Sequence, residues 1–179
     1  VEGVKMRNLL FLSLVLASFT INAEVPSCKI LKSCAEWATN KTGNTYILGK
    51  YEKRELKVER DFDLSVGDPD FLFNYLLLQS EYGRIKREGS TFEIVSLRDL
   101  KDYKFPFIKD EELKASLDFY TYEVQFSNKE KTKLGMSILK KFLSKNGRIL
   151  EVTDAPKLQI VDTAASLLVI RQFAQDLNK

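Results

Sequence analysis

Two cysteines, Cys28 and Cys34, and three close carboxylate pairs are the residues of this chain with most chemistry to offer. The pairs are Asp61 with Asp63, Asp68 with Asp70, and Glu111 with Glu112. Two carboxylates can divide acid and base roles at a glycosidic bond when their surroundings push their pKa values apart. Nothing in the neighbouring sequence does so. Asp68 and Asp70 stand where a helix would use them at its N-terminus, and Asp61 and Asp63 alternate along an extended run. Histidine is absent. That removes the side chain that titrates near neutrality and the commonest metal ligand. Ser-His-Asp and Cys-His nucleophiles and an HExxH zinc site are excluded by composition. No catalytic residue, metal ligand or cofactor-binding residue is expected, and the chain reads as a binding protein rather than an enzyme.

What the cysteines do depends on the compartment. Met6-Arg7-Asn8 is followed by an apolar run from Leu9 to Ile21, then by Asn22-Ala23 ahead of Glu24. This is the pattern of a secretory signal peptide over 6–23, cut after Ala23. The run is shorter than the roughly 20 residues that span a bilayer. In an exported chain, Cys28 and Cys34 are candidates for a disulfide, and the other reading is two small buried thiols. A lipid-modified Cys28 fits poorly, because Pro26 and Glu24 interrupt the approach to it.

The elements that would position these residues follow from spacing. Ser27–Leu31 reads as a short strand. Leu31, Cys34, Ala35 and Ala38 then recur at helical spacing until Thr42-Gly43-Asn44. Thr45–Leu48 and Glu55–Leu64 read as strands, the second with Leu56, Val58, Phe62 and Leu64 on one parity. Asp68-Pro69-Asp70 opens a helix with a cap, a proline in the first turn and a carboxylate at the positive end of the dipole. Phe71, Leu72, Tyr75, Leu76 and Leu78 fill that helix, and Gly83 is expected to end it in a left-handed conformation. Arg84–Arg87 and Thr91–Leu97 flank Glu88-Gly89-Ser90 as a closing hairpin.

Residues 99–118 are charged, contain Pro106 and lack an apolar period, which predicts a linker. Phe105, Phe107 and Ile108 give it the means to pack on one unit. Tyr120, Tyr122, Val124 and Phe126 then alternate as a strand. Ser127 is the expected cap of the next helix, with Glu130 completing a capping box. Leu134, Ile138, Leu139, Phe142 and Leu143 form its apolar stripe, opposite Lys133, Lys140, Lys141 and Lys145. Ile149–Val152 and Leu158–Val161 read as strands, and a last helix starts near Thr163. The expected class is α+β, with two small mixed-sheet domains. The first, 24–98, is β-α-β-β-α-β-β; the second, 119–179, is a KH-like β-α-β-β-α.

The charge balance, 28 basic against 25 acidic residues and a net +3, does not mark a nucleic-acid footprint. Lys140, Lys141, Lys145 and Arg148 read as a solvated helix face. KH domains clamp an RNA backbone with a GxxG loop, and only Asn146-Gly147-Arg148 stands at that point. No nucleic-acid partner is expected. Trp37 and the group Phe71, Phe73 and Tyr75 read as core.

The stretch Cys28–Lys101 resembles the short N-terminal domain shared by bacterial secretins and signalling TonB-dependent receptors. The resemblance is carried by CKILKSCAEWATNKTGNTYIL, LKVERDFDL, DPDFLFNYLLLQSEYG and RIKREGSTFEIVSLRDLK. Tyr120–Asn178 resembles the KH-like domain that follows it in secretins, where the receptors would continue into a plug. The resemblance implies an outer-membrane channel of the type II secretion or type IV pilus kind, located in the periplasm. It implies a ring of copies of the same chain, an inner-membrane platform protein and exported cargo as partners, and no cofactor. A stand-alone periplasmic accessory module and a receptor signalling domain are the alternatives. Edge pairing is expected at Ser27, Lys29, Ile30 and Leu31, because an open strand edge accepts a partner strand. Ring packing is expected to use Lys140 and Lys141.

Overall fold

A computed structural model describes residues 28–58 and 63–179 of the chain. The expected signal peptide over 6–23, Ser27 and the middle of the expected Glu55–Leu64 strand lie outside them. The described residues form an α+β fold around two three-stranded sheets.

In the first unit, helix α1 (Leu31–Thr42) buries Leu31, Cys34, Ala35, Trp37 and Ala38. Gly43 closes it at φ 73°, donating its N–H to the Thr39 carbonyl at 2.8 Å. A side chain is strained at that φ, so glycine suits the position. Strand β1 (Thr45–Ile47) follows. Helix α2 (Pro69–Gln79) starts as its sequence predicts: the Asp68 carboxylate accepts from the Phe71 N–H at 2.7 Å and Pro69 takes the first helical position. It buries Phe73, Leu76 and Leu77. Strands β2 (Tyr82–Lys86) and β3 (Thr91–Ser96) form the antiparallel hairpin, and β1 joins β3 in parallel, giving the order β1-β3-β2. Ile94 packs with α1 and α2 in one cluster, so the helices lie on that face of the sheet.

Three details differ from expectation. Of the described residues in the expected Glu55–Leu64 strand, only Glu55 is paired, in a single bridge. The opening strand is a single antiparallel bridge between Ile30 and Glu55, after which the chain turns at once into α1. Gly83 does not end α2. It lies inside β2, and the positive φ of 63° belongs to Glu81. Gly83 is needed for space: a Cβ there would stand 2.8 Å from Leu97 Cδ2 and 3.2 Å from Phe119 Cδ2.

In the second unit, β4 (Phe119–Gln125), β5 (Arg148–Glu151) and β6 (Lys157–Thr163) form an antiparallel sheet in the order β4-β6-β5. Helices α3 (Lys129–Leu139) and α4 (Ala164–Asn178) enclose one core with it, including Tyr122, Val124, Leu158, Ile160, Leu167 and Ile170. The cap of α3 is Asn128, not Ser127; its side chain accepts from the Lys131 N–H at 2.8 Å. The buried face of α3 is Thr132, Gly135 and Leu139, and Leu134 is 54% exposed. Gly135 sets that rotation. Its bare backbone lies against the Phe126 ring, where a Cβ would be 2.8 Å from Cε1.

The stretch over 99–118 is bound into the fold at several points. Phe105 and Leu113 are buried. Phe107 forms a parallel bridge with Thr121, so this stretch adds to the β4 edge. A third apolar cluster joins Ile85 and Val95 of the first sheet, Phe119 and Val161 of the second, and Leu97 and Phe105. The alternation of side chains puts one face of each sheet on its own helices and the other face on this shared cluster.

Candidate functional site

The strongest electrostatic feature of the fold lies where the residue before β4 meets the first unit. Arg84, in β2, points to the helix side of its sheet beside Ile94. It is 2% exposed. Burying a guanidinium without partners would be prohibitive. Two carboxylates answer it. Arg84 Nη1 donates to Asp70 Oδ1 at 2.6 Å, and Nη2 to Asp70 Oδ2, a bidentate pair. Its Nε donates to Asp118 Oδ1, on the residue preceding β4. The guanidinium also lies 4.2 Å from the Phe92 ring centroid.

Further donors complete the arrangement. Asn74 of α2 donates to Asp118 at 3.0 Å, and Asn44 donates to Asp70 at 2.9 Å. Burial disfavours the charge on Arg84, but the hydrogen bonds to Asp70 and Asp118 outweigh it and hold its pKa above the usual value. Burial likewise pushes the Asp70 carboxyl up, and Arg84, Asn44 and Tyr46 together hold it below the ordinary range. A cation neutralised in this way on both sides is not poised to transfer a proton. It fixes the start of the second unit onto the first.

A second buried carboxylate orders the loop after α3. Asp162 accepts from the Ser144 N–H at 2.7 Å, the Ser144 hydroxyl at 2.5 Å and the Thr163 N–H at 2.7 Å. Burial raises its pKa, with these donors pulling the other way. Gly147 packs against that carboxylate with no room for a Cβ.

The residues singled out from sequence are scattered, not gathered. Cys28 and Cys34 are buried and their sulfurs are bonded, with Cα atoms 4.6 Å apart. Lys29 is exposed and Ile30 is 44% exposed, whereas Leu31 is the first residue of α1 and fully buried. The backbone of this segment already pairs with 54–56, through Leu31 N–H to the Arg54 carbonyl and Leu56 N–H to the Lys29 carbonyl, both at 2.8 Å. Lys140 and Lys141 lie in a 3-10 turn after α3, both exposed. Of the acidic pairs, Asp61 is outside the described residues, Asp63 accepts from Ser65, and Asp68 caps α2. Trp37 and Phe73 are core, but Phe71 is 53% exposed and stacks on Tyr75 with ring centroids 6.4 Å apart. Among the described residues, no cluster of acidic and cysteine side chains is placed to hold a metal ion.

The Arg84 site was missed from sequence. Asp70 is fully accounted for locally by the helix dipole, Arg84 reads as an ordinary hairpin residue, and Asp118 falls in the linker stretch. Nothing within a few residues of any of them signals the other two.

No family model and no curated protein matches this sequence. Solved structures do. The outer-membrane complex of the Klebsiella pneumoniae type II secretion system, containing PulD, PulS and the PulC HR domain, matches with a TM-score of 0.61 at 11% identity, over 86% of this chain and 27% of that chain. The N-terminal domain of the secretin XcpQ from Pseudomonas aeruginosa matches at 17% identity over 83% of this chain and 61% of that one, with a TM-score of 0.30. The enterotoxigenic Escherichia coli GspC–GspD complex matches at 14% identity over 83% of this chain and 92% of that one, with a TM-score of 0.31. The match to the Klebsiella complex carries the comparison. The chain shares its α+β fold with part of that Klebsiella chain, and spans about a quarter of its length.

Proposed function

We propose that this chain supplies periplasmic ring and docking domains of a secretin channel, and acts by binding other proteins without catalysing a reaction. The observation that carries the reading is the fold shared with the Klebsiella type II secretion complex through 86% of the chain. The bonded Cys28 and Cys34 suit an exported protein in an oxidising compartment. On this reading the domains are a first unit over 24–98, a connecting stretch over 99–118 and a second unit over 119–179. The Arg84 joint holds the two units as one body, which suits stacking in a ring.

In that ring, Lys140 and Lys141 face acidic residues of the neighbouring copy. The exposed Lys29–Ile30 turn meets an inner-membrane platform protein, and cargo passes within the ring. A photo-crosslinking side chain at position 140, and separately at 30, in the producing bacterium tests this. The expected adducts are further copies of the chain from 140 and a platform protein from 30. Recovery of monomer alone from both positions, in cells whose secretion is active, would rule the ring reading out in favour of a stand-alone accessory module.

A further inference from the structure

We infer that the open half of the β4 edge is a strand-docking site for an extended, acid-bearing segment of a partner protein. The first half of that edge is already augmented by the chain itself. Thr121 donates its N–H to the Pro106 carbonyl at 2.9 Å and accepts from the Ile108 N–H at 3.0 Å. Thr121 therefore turns both backbone groups away from β6. The two-residue period of a strand turns those of Glu123 and Gln125 the same way. The chain then departs at Lys109, before it can pair with them. Asn178 Nδ2 caps the Gln125 carbonyl at 2.9 Å. The N–H of Glu123, its carbonyl and the N–H of Gln125 have no protein partner among the described residues.

These groups line a groove of about 530 Å³ between residues 107–110, β4 and α4. Phe107, 64% exposed, belongs to the same lining and offers an apolar contact to alternate side chains of an incoming strand. Charge selects the occupant. The Asp110 carboxylate is engaged by the Tyr122 hydroxyl. That of Glu123 is engaged by Lys157 at 3.4 Å and Gln159 at 3.0 Å. Lys109 donates its backbone N–H to Glu112 at 3.4 Å, but among the described residues its ammonium forms no ion pair and Arg171 commits only Nη1, to the Asp110 carbonyl at 3.2 Å. Two cations with spare donors beside an unfinished ladder match a strand carrying Asp or Glu. The inference holds whichever complex the chain belongs to.

The test is selection of a displayed random decapeptide library on the purified protein, followed by titration of the selected peptides in synthetic form. The expected peptides are rich in β-branched residues and carry at least one carboxylate. Glu123→Pro removes the N–H that an added strand needs without touching the β6 ladder, and should weaken binding tenfold or more. Arg171→Glu should weaken the acidic peptides and favour their Lys-substituted counterparts, and this variant decides the matter if Glu123→Pro does not fold. The inference is overturned if no peptide is recovered, if the selected peptides lack carboxylates, or if binding survives both substitutions. It is equally overturned if the groove proves to hold a second copy of the chain, seen as concentration-dependent dimerisation lost in Arg171→Glu.

Discussion

Asp118, the residue before β4, is bound by the Nε of Arg84 in β2, 34 positions earlier in the chain. Through this contact a buried cation of the first unit is completed by a carboxylate of the second. The same guanidinium is held from its own unit by Asp70. Neither unit alone supplies a fully paired Arg84, so the joint is electrostatic as well as apolar.

Removing the cation should be costly. Arg84→Ala strands two carboxylates, and breaking a buried pair from one side costs about 3–5 kcal/mol. Asp118→Asn leaves the bidentate Asp70 pair in place and should cost less, about 1–3 kcal/mol. Urea unfolding followed by the single tryptophan, Trp37 in the first core, and by far-ultraviolet circular dichroism measures both. In Asp118→Asn the two signals should begin to separate, because the tryptophan reports on one unit only.

The pH dependence follows from Asp70. Its folded pKa lies below the ordinary value of 3.8, held there by Arg84, Asn44 and Tyr46 against the opposing effect of burial. The unfolded chain therefore binds this proton first. The stability that Asp70 contributes is present above about pH 4 and is lost as pH falls through its depressed folded value. Asp70→Asn should lower stability at pH 7 and flatten the decline below pH 4, as measured by thermal unfolding across a pH series.

Gly83→Ala places a methyl group 2.8 Å from Leu97 and 3.2 Å from Phe119, in the cluster between the sheets. Overpacking of this kind costs about 1–3 kcal/mol. Leu97→Ala in the same chain should recover part of the loss. A double-mutant cycle with no coupling between the two positions would refute the packing explanation.

Reduction of the Cys28–Cys34 bond frees a loop with a sequence separation of 6. Constraining so short a loop contributes about 2 kcal/mol on the chain-entropy account. Dithiothreitol, or Cys34→Ser, should lower the unfolding free energy of the first unit by that amount, read from denaturant titration. Secondary structure should persist, because α1 is also held by Leu31, Trp37 and Ala38 in the core.

What the sequence determined by itself is helices α1 to α4 and strands β1 to β6 in their order. Asp68-Pro69 opening α2, Gly43 closing α1, the Glu88-Gly89-Ser90 turn and the alternation through β4 are all interactions over a few residues, and a reader of the chain can evaluate them there. Tertiary structure decided the rest. Gly83 reads locally as a terminator, yet it is required to leave room for Leu97 and Phe119, and Gly135 leaves room for the Phe126 ring. The expected strand at Ser27–Leu31 shrank to one bridge because α1 captures Leu31 for the core. Arg84 and Asp70 meet within the first unit, and Asp118 joins them only when the second unit packs against the first. A buried charge is tolerable only with partners in place, and the two carboxylates that pair with Arg84 come from separate segments whose proximity to it no local pattern encodes.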